Sequence, residues 1–223
     1  MFEALSHVPV RSLPALPPDW PRDGDCAGFA ERLLGVTRKV RARFAERYGE
    51  LWRSLEIPAD PFEPLALHGL HPRPFRLIHC DVHRKNIILE PATADTPDPV
   101  CRFLDWELAL FGDPVYELAV HLHKMAYLPD EEGAVCDAWE QAVQAEQWPD
   151  WRADLAAYRA HERVKSAVVD SVRYAQLISV APEQRSGRIA SLVGKLNAAR
   201  EVWGEATPID PARVAAALDK AGG

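Results

Sequence analysis

The sequence predicts an α+β fold, a predominantly helical body with one small β-unit that carries the polar chemistry. Apolar residues recur at steps of three and four between 25 and 55. Three short apolar runs come next, at 75–79, 87–89 and 100–104, and helical spacing returns after Asp113-Pro114. Periodicities near 3.6 and short β-rich runs are the primary marks of helices and strands. With 223 residues and 48% hydrophobic composition, the chain is long enough to bury a sizeable core.

Residues 1–24 are rich in proline (Pro9, Pro14, Pro17, Pro18, Pro21), which fixes φ and removes a donor, so they read as an irregular lead-in. Only the first few residues suit the tail of a helix. The first long helix presents Phe29, Leu33, Val36, Val40, Phe44, Tyr48, Leu51 and Leu55 on one face, with Asp25 as its cap and Pro58 beyond its end. Residues 58–74 form a proline-containing loop, and 91–99 (PATADTPDP) a turn or exposed connection. The strands at 75–79, 87–89 and 100–104 flank a polar loop, the last ending at Asp105. Asp113-Pro114 opens a helix, Asp as cap and Pro at its first position, with Val115, Leu118, Ala119, Leu122 and Ala126 on one face. Further helices are expected at about 131–146, 151–180, 183–203 and 211–221, the last opened by Asp210-Pro211.

Composition excludes several classes. A formal net charge of −7 argues against a nucleic-acid surface, which is normally basic. No apolar run approaches the roughly 20 residues needed to span a bilayer, so no membrane partner is expected. The start, MFEALSHVPV, lacks the basic and apolar segments of a signal peptide. Cys26, Cys80, Cys101 and Cys136 show no paired spacing, which favours a reduced, cytoplasmic setting over a disulfide framework or zinc knuckle.

The chemistry concentrates between Phe75 and Leu118. Two strands there lead to aspartates, Asp81 and Asp105, and Asn86 lies after Asp81 in the same loop. Mg²⁺ is a hard ion that takes oxygen ligands, and phosphoryl transfer needs such ligands, an orienting carboxylate and positive charge near the phosphates. Asp81 can accept or orient a hydroxyl proton, while Asn86 and Asp105 offer a carbonyl and a carboxylate oxygen to the metal. Arg84 and Lys85 could screen phosphate charge.

These residues resemble a known family. His79-Cys80-Asp81-Val82-His83-Arg84-Lys85-Asn86 is similar to the HGDxHxxN catalytic loop of the aminoglycoside phosphotransferase and choline kinase family. Leu104-Asp105-Trp106-Glu107, with Gly112-Asp113-Pro114 and Glu117-Leu118-Ala119, resembles that family's IDWE…GDPxxDLA metal-binding segment. The opening SHVPV resembles the segment after the family's hinge. The resemblance implies a protein-kinase-like C-terminal lobe, with residues 1–24 as a hinge-like lead-in and 25–223 as the helical lobe. In that lobe the catalytic loop is 79–86 and the metal-binding segment 104–119. It implies ATP and Mg²⁺ as cofactors, Asp81 as the catalytic base, and Asn86 and Asp105 as ligands of the metal-nucleotide. Glu107 becomes an accessory acid near the metal. His79 and Arg84 join Asp81 in the catalytic loop, His79 orienting it, and His83 is structural. Cys80 replaces the family's glycine and Glu117 its aspartate.

The family's N-terminal β-lobe, with its phosphate-covering loop and strand lysine, has no counterpart in this sequence. Lys39, within the long helix, is the only lysine before Asp81, and Gly24, Gly28, Gly35, Gly49 and Gly69 make no cluster. The expectation is a C-terminal lobe alone, its missing lobe supplied in cis or in trans. The implied activity is phosphorylation of a hydroxyl on a small molecule, aminoglycoside- or choline-like, cationic acceptors included, with antibiotic resistance as one setting. The competing class is a catalytically inactive, truncated kinase-like lobe that binds a small molecule or a partner chain.

Other candidates have plainer readings. His79, His83, Cys80 and Cys101 could be a zinc set, but their spacing suits none of the usual ones. His121 and His123 read as a solvent-facing or satisfied pair, and Trp106 as packing. Asp130-Glu131-Glu132 suits the positive end of a helix dipole, the alternative being a wall for a cationic substrate. Asp154, Glu162 and Asp170 are further candidates for that cleft.

Overall fold

The computed structural model describes residues 1–9, 11, 13–93 and 97–222. The helices are α1 (Phe2–Ser6), α2 (Cys26–Ser54), α3 (Pro114–Met125), α4 (Pro129–Val143), α5 (Trp151–Val180), α6 (Arg185–Val202) and α7 (Pro211–Gly222). The strands are β1 (Arg76–Ile78), β2 (Ile87–Glu90), β3 (Val100–Phe103) and β4 (Leu110–Gly112). A mostly helical chain with small antiparallel sheets is the α+β class expected. No described helix is long and apolar enough to cross a membrane.

Two compact units are formed, one of Met1–Phe29 with His68–Arg159, the other of Ala30–Leu67 with Ala160–Gly223.

The first unit holds all four strands, arranged as two separate pairs rather than one β-unit. β1 pairs with β4, Leu77 opposite Phe111. β2 and β3 form a hairpin with Ile87 opposite Phe103 and Glu90 opposite Val100. β4 was not expected, because three residues are too few to show alternation. Its Gly112 lies against the Phe29 ring, where an added Cβ would come within 2.3 Å of Phe29 Cε2. Phe29 sits in a chain of aromatic edges, 5.6 Å from Phe75 and 5.8 Å from Tyr116, and Tyr116 is 5.4 Å from Tyr158. Offset and edge-on rings at such distances favour each other beyond the area they bury.

The helix starts obey the expected chemistry. Asp25 Oδ1 accepts from the Gly28 amide at 2.9 Å, and Asp113 Oδ1 from the Val115 amide at 2.9 Å ahead of Pro114. Asp210 Oδ1 does the same for Ala212 at 2.9 Å. Such caps satisfy amides that have no partner inside the helix. Glu131 Oε2 reaches back to the Leu128 amide at 3.0 Å, and Glu132 pairs with Arg159. Two of the three acids opening α4, Glu131 and Glu132, are thus engaged in the fold.

α3 is buried from Pro114 through Leu122 on every face, and it ends at Met125. Ala126, expected on its apolar face, is instead the cap in left-handed backbone, φ 49°.

In the second unit α2 contributes Tyr48, Leu51 and Trp52, and Leu55 just after it joins them, to a core with Val164, Val168, Leu192, Leu196, Val214 and Leu218. Trp52 Nε1 donates to the Val168 carbonyl at 3.2 Å and to Ser171 Oγ at 3.0 Å. The expected stripe of α2 needs one correction: Val36 is exposed and its neighbour Thr37 is buried, the Thr37 hydroxyl donating to the Leu33 carbonyl at 3.2 Å. A hydroxyl bonded back into its own helix loses its polar cost of burial.

Candidate active site

The loop from His79 to Asn86 leaves β1 inside the first unit. His79 is fully buried and its Nε2 donates to the Leu104 carbonyl at 3.0 Å, tying the loop to the residue before Asp105. The Trp106 ring lies 4.4 Å from the His79 ring while its Nε1 donates to the Phe103 carbonyl at 2.9 Å. Trp106 therefore packs on the loop, although one of its faces is exposed.

Cys80 has φ 61°. Left-handed backbone costs a non-glycine residue about 1 kcal/mol or more, which gives a physical reason for glycine at this place in the resembling motif. Here the conformation is held from both sides. The Cys80 amide donates to Glu117 Oε2 at 2.8 Å, and Lys124 Nζ lies 3.5 Å from the Cys80 carbonyl. Burial raises the Glu117 pKa to about 7, opposed by hydrogen bonds from the Cys80 and His79 amides and by the charge of Lys124.

Asp81 is held at both oxygens. Asn86 Nδ2 donates to Asp81 Oδ2 at 3.0 Å and to its carbonyl at 3.0 Å. Lys124 Nζ forms an ion pair with Asp81 Oδ1. His83 Nδ1 accepts from the Lys85 amide at 3.2 Å, which leaves Nε2 as the protonated nitrogen, 3.7 Å from Asp81 Oδ1.

The hairpin brings the second aspartate alongside. The Leu104 amide donates to the Asn86 carbonyl at 2.9 Å, extending the β2–β3 register by one step, so Leu104 stands opposite Asn86 and Asp105 is the next residue along the chain. Asp105 is exposed, with left-handed backbone at φ 65°. With its Nδ2 committed to Asp81, Asn86 keeps Oδ1 available, and Asp105 offers a carboxylate. Hard oxygen donors in this number suit Mg²⁺, which is usually bound by one or two protein oxygens plus phosphate oxygens and water. Among the described residues no group of three or more His, Cys, Asp or Glu side chains could hold a metal, so the zinc reading finds no support.

The remaining candidates are spread out. Arg84 and Lys85 are exposed on the loop, and Glu107 is exposed on the turn after Asp105. Asp154 does not join the site: it is buried with Arg73, whose Nη2 pairs with it and whose Nη1 donates to Asp113 at 3.0 Å. Glu162 pairs with Lys165 at 2.5 Å and Asp170 with Lys195 at 2.5 Å in the other unit.

Three loop-holding residues come from one helix. Glu117, His121 and Lys124 lie on one face of α3, spaced by one turn each. His121 Nδ1 donates to the Val82 carbonyl at 3.1 Å, and its Nε2 accepts from the Tyr127 hydroxyl at 3.0 Å. The sequence set Glu117 in the metal-binding segment and read His121 as solvent-facing or satisfied, while Lys124 was not singled out. Their spacing, four residues from Glu117 to His121 and three more to Lys124, is the pattern that marks them.

The model of the phosphotransferase enzyme family matches residues 1–165. No curated protein and no solved structure matches the chain. The match covers the catalytic loop, the β2–β3 hairpin and α3 together, and it extends over most of the sequence. The chain belongs to the phosphotransferase enzyme family.

Proposed function

We propose that this protein is an ATP-dependent phosphotransferase that phosphorylates a hydroxyl of a small molecule, aminoglycoside- or choline-like in class, in the cytoplasm. The observation that carries the reading is the pairing of Asp81 with Asn86 at 3.0 Å beside the strand that delivers Asp105. An acceptor carboxylate and two metal-type oxygen donors in one loop and hairpin make the minimum set for in-line transfer.

In the proposed reaction Asp81 orients the acceptor hydroxyl and takes its proton. The new bond joins the acceptor oxygen to the γ-phosphorus, the bond from that phosphorus to the bridging oxygen breaks, and ADP leaves. Asn86 and Asp105 would hold Mg²⁺, which when bound neutralises charge on the phosphates. His79 keeps the loop on Leu104 and Glu117 keeps Cys80 in its left-handed conformation. Arg84 and Glu107 are exposed, and with the nucleotide bound they would contribute charge near the phosphates and the metal.

A further β-rich lobe, in cis or in trans, belongs to the reading. Its support is the run of individually exposed apolar residues along the hairpin and the turn after it: Ile88, Leu89, Val100, Leu104, Trp106 and Leu108.

The test is titration of the protein with Mg²⁺-ATP, then transfer to a panel of hydroxylated acceptors. Asp81→Asn is expected to lower transfer on the order of 10²–10⁴-fold to a residual rate and leave nucleotide affinity within about threefold, because it removes a group used in the transition state alone. Retained turnover in that variant would show that the base is a different residue.

A further inference from the structure

The two oxygens of Asp81 are gripped by different elements. Oδ2 accepts from Asn86, within the loop, and Oδ1 faces the ammonium of Lys124, from the last turn of α3. The Asp81 side chain is 15% exposed and that of Lys124 29%, so the pair is partly withdrawn from water. An exposed ion pair between long side chains contributes little, but this one is braced by its surroundings. Glu117, on the same helical face, takes the Cys80 amide, and Lys124 also lies 3.5 Å from the Cys80 carbonyl. A cation in the last turn of a helix is favoured by the helix dipole as well.

We propose that Lys124 is a positioning residue for phosphoryl transfer, acting through Asp81; this role rests on the phosphotransferase activity proposed for the site. A carboxylate turns freely about its last bond unless both oxygens are held. Asn86 alone holds one oxygen and leaves the plane of the group free to swing. Lys124 on the other oxygen fixes that plane, and each oxygen keeps a lone pair for the acceptor hydroxyl. The ammonium also offsets the negative charge of Asp81, which otherwise repels the anionic phosphoryl group as it approaches. His83 Nε2, at 3.7 Å from the same oxygen, also points a polar hydrogen at Asp81 but is too distant to replace the lysine.

The role predicts a particular kinetic pattern. Misplacing a catalytic group by about 1 Å costs on the order of 10²-fold in rate. Lys124→Met keeps most of the apolar stem and removes the charge, so turnover should fall on the order of 10²-fold with KM for Mg²⁺-ATP unchanged within about twofold. Lys124→Arg should restore turnover to within about tenfold of the parent, since a guanidinium supplies the same charge and donors. In an Asp81→Asn background the Lys124→Met change should cost nothing further, because residues that act as a unit are not additive.

The experiment uses the full chain and Mg²⁺-ATP, with water as the acceptor and release of inorganic phosphate as the readout, run on the parent, K124M, K124R, D81N and D81N/K124M. Melting curves accompany each variant, and Lys124→Gln replaces K124M if the latter does not fold. Loss of turnover at constant KM, rescue by arginine and no added loss in D81N support the role. Parent-like turnover in K124M, or an equal further loss in the D81N background, overturns it while leaving the phosphotransferase reading intact. No phosphate release by the parent overturns the reading that this chain transfers phosphate without a further lobe, and the part of Lys124 in such transfer with it.

Discussion

Arg73 offers the sharpest test of how the first unit is held together. Its guanidinium is fully buried and serves two buried carboxylates. Nη1 donates to Asp113 Oδ1 at 3.2 Å and Oδ2 at 3.0 Å, and Nη2 pairs with Asp154. Replacing Arg73 by methionine keeps most of the volume and removes the guanidinium charge. Breaking a buried pair in this way costs about 3–5 kcal/mol because an anion is left without compensation. Here two anions are left, but neither is bare. Asp113 retains the Val115 amide at 2.9 Å and the Tyr158 hydroxyl at 3.0 Å, and Asp154 retains the His71 amide at 3.1 Å. These remaining donors place the expected loss near the lower end, about 3 kcal/mol. With a urea m-value of about 2–3 kcal/mol/M for a chain of this size, the unfolding midpoint should fall by about 1 M with m unchanged. Circular dichroism in urea at pH 7 measures it. The double variant R73M/D154N should lose clearly less than the two single losses combined, since it removes one of the stranded anions. A loss below about 1 kcal/mol in R73M would refute the buried, ionised network.

Two other contacts give expected outcomes of their own. Burial raises the Glu117 pKa from 4.5 to about 7, so its protonated form is favoured in the fold. The stability from this group is full below about pH 4.5 and is lost as pH rises through about 7, a total of about 3 kcal/mol. Comparing the parent with Glu117→Gln across that window should show the parent losing ground by that amount as pH rises, and a constant difference would mean that burial does not shift Glu117. Gly112→Ala would push a methyl group to 2.3 Å from the Phe29 ring, and overpacking of this kind costs about 1–3 kcal/mol, read as a lower thermal midpoint. An unchanged midpoint would mean that Phe29 moves aside freely.

Legibility in the sequence depended on how far apart the interacting residues lie in the chain. The caps at Asp25, Asp113 and Asp210 are local, each meeting an amide within a few residues, and their types announced them. The loop and hairpin residues Asp81, Asn86 and Asp105 were legible because a dense run of polar residues ends two apolar strands. Arg73 was not, since between Pro72 and Pro74 it looks like any loop cation until the fold delivers Asp113 and Asp154. β4 escaped because its partner β1 is distant and its own length is three residues. Thr37 escaped because hydrophobic periodicity cannot register a polar residue that satisfies itself within its helix. Lys124 and His121 escaped because their partners lie in a loop some forty residues earlier.

That helical face has a consequence for how the sequence can vary. Three successive loop positions, Cys80, Asp81 and Val82, are each gripped by a residue of α3. Every residue added to an α-helix rotates the remainder of the helix by about 100°. One insertion or deletion between Pro114 and Lys124 would therefore swing the later grips away from the loop while leaving an intact helix. Beyond the three gripping residues, the residue count of α3 is itself fixed by the loop it holds.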